Sequence, residues 1–211
     1  MKLKKVAALC TKNERFYLND EVGEDGELIR QWLGDGRALY PLSGLPVLDE
    51  DNLCAMFDIP EKKRKKCFFS RNQIPEEMNV EDSAYGERML NDRWPTVEYK
   101  GYVIKPLSTQ GGITFIQNAY LSPLDDMDDY LRFYERVDDA GQTYIVAKNG
   151  MEIAAVIMPV NLVEWDFVRM LEELTGKCRL AFMMQVEKKQ ERREIGPLFQ
   201  QGGDAGEGAG E

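Results

Sequence analysis

The segment from Gln142 to Leu174 constrains the fold of this 211-residue chain most tightly. Two apolar runs flank the dipeptide Asn149-Gly150, which is the strongest short-range signal for a β-hairpin with a two-residue turn. Pro159 follows the second run and stops that strand, because proline lacks the N–H that a sheet ladder requires. The segment therefore predicts two strands, a proline and then a helix.

The helix after Pro159 is expected to begin near the N-cap Asn161 and to end at Gly176-Lys177. Glycine at that position ends helices, and a cation there faces the negative end of the helix dipole. Its apolar stripe consists of Phe167, Val168, Leu171 and Leu174. Beyond it we expect a last strand or strap at 179–186, a charged helical stretch at 187–194 and a disordered Gly/Asp/Glu tail at 202–211.

The remainder of the chain predicts further strands and two short helices with acidic first turns. Strands are expected at 2–10, 14–19, 28–33, 37–40, 67–71, 97–100, 102–105 after a turn at Gly101, and 113–121, and the helices at 49–57 and 125–134. Gly34-Asp35-Gly36 is expected to form a hairpin turn, since both glycines accept positive φ.

An internal repeat connects the two halves. A shift of 77 residues aligns Val47–Gln73 with Leu124–Gly150 without a gap, and Asp49 then meets Asp126. The strand that ends at Pro159, with its helix, is a third copy. Convergence of alternating strands and acidic helix starts is the alternative explanation. The pattern predicts an α+β fold with mostly antiparallel sheets, built from two or three strand–proline–helix units with their helices on one side.

The expected organisation follows from the repeat and from composition. Residues 1–73 form the first β-rich repeat, and 74–96 form a linker or excursion. Residues 97–184 form the second β-rich repeat with its helix, and 185–211 the charged helix and tail.

Composition excludes several classes of protein. The chain has no histidine, which rules out Ser-His-Asp and Cys-His catalysis and Cys/His zinc sites. A net charge of -10 argues against a general nucleic-acid binder, because phosphate contacts require clustered cations. We therefore expect a protein that is not an enzyme, with no catalytic residues and no cofactor.

Location is predicted from the cysteines and from hydropathy. The four cysteines contain no C-x-x-C pair and sit mostly in apolar surroundings, as reduced core thiols of a cytosolic protein do. No segment approaches the 18 or so apolar residues of a membrane span, and residues 2–10 are interpreted as a strand rather than a signal sequence. A cytoplasmic protein of a bacterial host is expected.

One dense basic run is a candidate binding site. It comprises Lys62, Lys63, Arg64, Lys65 and Lys66. Such a run suits an acidic protein partner, or nucleic acid contacted from a loop, although no aromatic residue lies inside it to stack on bases. A solvated loop is the structural alternative.

An acidic cluster at 125–129 is a weak candidate metal site. Asp126 and Asp128 are the carboxylates that would bind Mg²⁺ or Ca²⁺. The alternative is that these carboxylates only complement the dipole at a helix N-terminus.

The peptide Ile195-Gly-Pro-Leu-Phe199 is a candidate docking segment through Ile195, Leu198 and Phe199. It resembles the short C-terminal peptides ending in Leu-Phe with which replication and repair proteins dock on the bacterial sliding clamp. It lacks the initial Gln of that motif. A strap that folds back on the domain is the alternative.

Two wider resemblances concern the strands. Several runs are similar to those of small uncharacterised proteins of prophages and conjugative elements in Gram-positive gut bacteria. The runs are Trp32-Leu-Gly-Asp-Gly, Tyr40-Pro-Leu-Ser-Gly-Leu-Pro46, Tyr120-Leu-Ser-Pro-Leu124, Tyr144-Ile-Val-Ala-Lys148 and Ala155-Val-Ile-Met-Pro159. The resemblance implies a role in replication, regulation or conflict with the host. Separately, Ala154-Ala-Val-Ile-Met-Pro-Val-Asn161 resembles the last strand of a bacterial DNA sliding clamp subunit.

Three functions follow as expectations. The first is a non-enzymatic accessory protein of a phage or mobile element that binds a protein of DNA metabolism or defence. The second is a replication accessory factor with a clamp-like fold, and the third a Mg²⁺ enzyme using Asp126 and Asp128. A protein partner is expected, and no membrane. The sequence leaves the oligomeric state open.

Overall fold

The computed structural model describes residues 1–127 and 129–195, with side chains in the last helix described up to Gln190. These residues form helices, strands and one 3-10 helix, which confirms the α+β class. The helices are α1 (Leu3–Lys12), α2 (Glu50–Met56), α3 (Glu61–Arg64) and α4 (Trp165–Ile195), and Asn118–Leu124 is the 3-10 helix. The strands are β1 (Arg15–Val22), β2 (Leu28–Gly34), β3 (Ala38–Pro41), β4 (Phe68–Gln73), β5 (Arg88–Met89), β6 (Val97–Tyr99), β7 (Tyr102–Thr109), β8 (Gly112–Gln117), β9 (Leu131–Val137), β10 (Thr143–Asn149) and β11 (Glu152–Ile157).

Chain contacts divide the protein into two units, residues 1–161 and residues 162–211. The first unit holds both sheets and the first three helices, and the second holds α4.

An eight-stranded sheet organises the first unit. Its order is β4-β1-β2-β3-β11-β10-β9-β5, and every neighbouring pair is antiparallel except β1 and β4. The contact of β3 with β11, through Leu39 and Val156, joins the strands of the two expected repeats into one sheet. The expected boundary at 74–96 therefore does not divide this sheet. A second, antiparallel sheet has the order β6-β7-β8.

The hairpin at Asn149-Gly150 is confirmed. Strands β10 and β11 pair antiparallel across it, with Asn149 opposite Glu152 and Gly150 at a φ of 64°. The register shifts once beside Ala147, which is a β-bulge. The local turn chemistry thus determined this part of the fold.

Both faces of the central strands are buried, and successive residues contribute to two different cores. Leu33 and Ile145 belong to the larger core, while their sequence neighbours Trp32 and Tyr144 belong to the smaller one. This alternation follows from the two-residue period of a strand. It explains why Tyr144 to Lys148 are all buried.

Residues 74–95 cover the second face and form much more than a linker. Val80 joins the smaller core. The hydroxyl of Tyr144 donates to the carbonyl oxygen of Asn79 at 3.0 Å and accepts from the Asn79 N–H at 3.1 Å. The carboxylate of Glu87 lies between the buried cations of Arg136 and Lys148.

The expectation of a strand at residues 2–10 is wrong, since α1 occupies this segment. Val6, Ala7 and Cys10 are its buried residues. Their spacing of one, three and four residues places them on one face of a helix, whereas a strand would divide them between two faces.

Two further predictions fail between residues 118 and 134. Asn118–Leu124 is a 3-10 helix rather than the end of a strand, and the expected helix at 125–134 is wrong, because residues 125, 126, 129 and 130 form turns and β9 begins at Leu131. Leu131 and Phe133 are buried around the exposed Arg132, which is strand alternation. The strand–proline–helix repeat is not confirmed, because Cys54 lies in helix α2 whereas Leu131, 77 residues later, begins strand β9.

Helix α4 corrects the prediction for the C-terminal region. The helix neither ends at Gly176 nor gives way to a strand at 179–186, and it continues to Ile195. The run Leu180-Ala-Phe-Met-Met184 consists of good to moderate helix formers without strand alternation, which lets the helix continue through one glycine. Within the described ranges, no helix is both long enough and apolar enough to cross a membrane.

Candidate functional site: a lysine-lined groove

The basic run predicted from the sequence borders a groove of about 530 Å³ in the first unit. The groove lies between α1 and the segment that joins α2 to β4. Its polar and charged lining residues are Lys4, Thr11, Lys12, Glu14, Asp58, Lys63 and Lys66. Its other lining residues are Ala7, Ala8, Phe57, Ile59, Pro60 and Cys67.

Helix α1 presents one wall of the groove. Its opposite face is fixed by Val6 and Cys10, which are fully buried in the larger core. Lys4, Ala8 and Lys12 follow one another at intervals of four residues, so they form one exposed row. The lysines of this row therefore project from a rigid, core-anchored helix.

The other wall is held by α3. Pro60 precedes this helix with a φ of -67°, the value that the proline ring fixes. The guanidinium of Arg64 contacts Glu50 at 2.7 Å and Asp51 at 2.5 Å, and these are the first residues of α2. Because Arg64 anchors α3 on α2, Lys63 and Lys66 are displayed from a fixed turn rather than from a loose loop.

The charge of the groove is opposite to that of the protein. Four lysines line it against two carboxylates, Glu14 and Asp58, in a chain with a net charge of -10. Among the residues that the structure describes, none of the four lysines has an ion-pair partner within 4.0 Å. Together with the apolar floor, this arrangement suits a ligand that carries both negative charge and an apolar group.

The thiol in the groove is not an activated nucleophile. Burial raises the pKa of Cys67, and the carboxylate of Glu14 raises it further, while Lys63 lowers it. The thiol is therefore protonated at neutral pH, and a nucleophilic cysteine requires the thiolate.

The five residues of the predicted basic site have different roles in the structure. Lys63 and Lys66 line the groove. Arg64 is used to anchor α3, and Lys65 pairs with Glu61 at 2.8 Å on the same helix. Lys62 is exposed beside the groove without lining it.

Two carboxylates of the acidic cluster, which is the weak candidate metal site, form ion pairs with cations of the protein. Asp126 accepts a hydrogen bond of 3.0 Å from the N-terminal ammonium of Met1, which lowers the pKa of this carboxyl. Asp125 pairs with Lys5. Asp128 lies outside the described residues, and in the part of the chain that is described no group of three or more side chains has a metal-binding arrangement.

The predicted docking residues Leu198 and Phe199 lie outside the described residues, as does the side chain of Ile195.

Sequence reasoning missed Lys4 and Lys12. Their four-residue spacing to Ala8 was the available signal, but it carries meaning only if residues 3–12 are helical.

A second opening, of about 660 Å³, lies beside β2, and none of its described lining residues is a lysine. Of the described residues that line it, Arg30 is the one cation. The Arg30 guanidinium contacts Glu21 at 2.9 Å and lies 4.7 Å from the ring centre of Trp32. These contacts explain Arg30 as a structural residue.

Comparison with known proteins gives no family for this chain. No protein-family model, no curated protein and no solved structure matches it.

Proposed function

We propose that this protein is a non-enzymatic accessory protein of a phage or mobile element, which binds an acidic segment of a bacterial protein of DNA metabolism or defence. The lysine-lined groove is the binding site in this proposal. The supporting observation is that four lysines, which have no ion-pair partner among the described residues, surround an apolar floor in a strongly acidic protein.

The chemistry of the groove favours a peptide over a nucleic acid. A peptide can place glutamates near Lys4, Lys12, Lys63 and Lys66 and an apolar side chain against Phe57. A long polyanion would approach a protein whose net charge of -10 repels it, and only the groove would attract it. Small acidic proteins of mobile elements commonly act by binding host proteins, which fits the resemblance of the strands.

A direct binding assay tests the role of the groove. The probe is a short fluorescein-labelled peptide in which glutamates alternate with leucines, and fluorescence anisotropy reports its binding to the full chain. We expect Lys63→Glu/Lys66→Glu and Lys4→Glu/Lys12→Glu each to raise the Kd at least about tenfold, because each replaces two attractions with two repulsions. Binding should also weaken as salt concentration rises.

Three controls make the assay specific. Lys62→Glu changes a neighbouring charge that does not line the groove, so its Kd should change less than about twofold. The same peptide with glutamines in place of glutamates should bind weakly. Binding of a single-stranded oligonucleotide in preference to the acidic peptide, or binding of neither probe, would contradict the proposal.

The host partner requires a second experiment. Tagged wild-type protein and the Lys63→Glu/Lys66→Glu variant are incubated with lysate of a Gram-positive host, and captured proteins are compared by quantitative mass spectrometry. We expect a protein of DNA metabolism or defence that the wild type captures and the variant loses. Equal capture by both proteins would show that the groove is not the docking site.

A further inference from the structure

Helix α4 carries an apolar segment that the described chain leaves uncovered. Leu180, Phe182, Met183 and Met184 are between 51% and 66% exposed, and Ala181 between them is exposed as well. Apolar side chains exposed together in this way mark a contact with a partner.

The position of this segment is informative. Residue 180 is the midpoint of α4, which extends from Trp165 to Ile195. An antiparallel second copy of the helix would therefore overlap it along its whole length, about 46 Å, and bring the two apolar segments together.

Charge is also arranged for antiparallel pairing. Before Leu174, the helix and its approach carry four carboxylates and one arginine. From Leu174 to Gln190 the balance is reversed, with four cations and one carboxylate. The carboxylates of the first part are Glu164, Asp166, Glu172 and Glu173, and the cations of the second part are Lys177, Arg179, Lys188 and Lys189.

We propose that α4 pairs antiparallel with α4 of a second copy of this chain, so that the protein is a dimer. Antiparallel pairing places the acidic part of each helix beside the basic part of the other. A parallel pair would place like charges together, which is unfavourable. The proposal concerns α4 alone and does not depend on the function of the groove.

A lipid surface fits α4 less well. An interfacial helix keeps one apolar face along its length, whereas the exposed apolar residues around residue 180 form one short segment between charged parts of α4. Carboxylates and cations also alternate within short distances, for example Glu173 and Lys177, which contact each other at 2.5 Å. The uncovered segment is far shorter than the roughly 20 residues of a membrane span.

The mass of the full chain in solution is the first test. Size-exclusion chromatography with light scattering should give twice the 24.2 kDa of a single chain at micromolar concentration. Leu180→Glu/Met184→Glu should reduce it to one chain, while circular dichroism shows an unchanged fold because both side chains are exposed. Leu28→Glu, an exposed apolar residue of β2, is the matched control and should leave the dimer intact.

Charge reversal tests the orientation. Glu172→Lys/Glu173→Lys should raise the dimer Kd by about tenfold, since it places cations beside the basic part of the partner helix. Adding Lys188→Glu/Lys189→Glu to this variant should restore the wild-type Kd. Restoration is specific to the antiparallel arrangement, because in a parallel pair the first change would only exchange one like-charge contact for another.

Several results would overturn the proposal. These are a monomer at all concentrations, a dimer that persists in Leu180→Glu/Met184→Glu, or a monomer that floats with phosphatidylglycerol vesicles through α4. A dimer whose Kd is insensitive to the charge reversals would exclude the antiparallel arrangement.

Discussion

The carboxylate of Asp35 accepts a hydrogen bond of 2.9 Å from the hydroxyl of Tyr120, a residue 85 positions further along the chain. The same carboxylate accepts from the N–H of Arg37 at 2.9 Å and of Ala38 at 3.1 Å, and from the side chain of Asn13 at 2.5 Å. One buried carboxylate thus joins the β2–β3 turn, the 3-10 helix and the end of α1.

The phenol of Tyr120 is held as a donor in this network. Its burial raises its pKa, and the charge of Asp35 raises it further, so the hydroxyl keeps its proton. The backbone carbonyl of Tyr120 in turn accepts from the hydroxyl of Tyr40 at 2.7 Å. Of the donors around Asp35, the Ala38 N–H and the Tyr120 hydroxyl are buried and depend on this carboxylate.

Replacing Asp35 should be costly for stability. We expect Asp35→Ala to lower the free energy of unfolding by about 3 kcal/mol, because it leaves the buried Ala38 N–H and Tyr120 hydroxyl without an acceptor. Tyr120→Phe should cost about 1 kcal/mol, since it removes one bond. Urea denaturation followed by circular dichroism measures both. Asp25→Ala, in an exposed loop, should be nearly neutral, and an equal effect at both aspartates would contradict this account.

The Glu87 carboxylate holds residues 74–95 against the sheet and predicts a dependence on pH. Burial would raise the pKa of Glu87, but the hydrogen bonds and charges of Lys148 and Arg136 outweigh it, and the pKa is lowered from its usual 4.5. A lowered pKa contributes stability that is present above the unfolded-state value and is lost as pH falls through the lower folded-state value.

Glu87→Gln should therefore destabilise the protein by about 3 kcal/mol at pH 7, since it leaves two buried cations without their counter-charge. The difference from wild type should shrink as pH falls below about 4.5, where the carboxylate of the unfolded chain takes up a proton, and should be lost once pH falls through the lower pKa of the folded state. Chemical denaturation over a range of pH measures it. Asp51→Asn is the matched control, because its carboxylate pairs with Arg64 while 82% exposed, and it should change stability by less than about 0.5 kcal/mol. A difference for Glu87→Gln that is constant across pH would contradict the prediction.

The elements predicted correctly have a local cause. The Asn149-Gly150 hairpin depends on two residues of turn chemistry, and α2 depends on Asp49, which accepts from the Asn52 N–H at 2.9 Å as an N-cap. Neither requires knowledge of the rest of the chain. Both could therefore be predicted from sequence.

The elements predicted wrongly depend on distant contacts. Residues 3–12 form a short apolar run that is compatible with a strand or a helix, and only its packing under the sheet selects the helix. The groove was predicted only in part for the same reason. Lys63 belongs to a basic run that is evident in the sequence, whereas Lys4 lines the groove only because residues 3–12 fold as a helix. The sequence therefore identified two of the four lysines that line the groove, Lys63 and Lys66.

Replacement of Gly34 and of Gly176 by alanine should change stability in opposite directions. A Cβ on Gly34 would lie 1.8 Å from the carbonyl oxygen of Ala38, a backbone atom that cannot move freely, while a Cβ on Gly176 has no neighbour within 4 Å. Gly34→Ala should destabilise the protein by at least about 2 kcal/mol, since the turn must distort. Gly176→Ala should stabilise α4 by about 1 kcal/mol, because alanine has the higher helix propensity.

Two measurements separate these effects. Urea denaturation reports the loss in Gly34→Ala, and the temperature dependence of the helical circular dichroism signal reports the gain in Gly176→Ala. The second result bears directly on α4, because a C-cap glycine requires positive φ and its replacement by alanine would weaken the helix. A loss of helicity in Gly176→Ala would therefore show that the helix ends there, and a gain supports one continuous helix through residue 176.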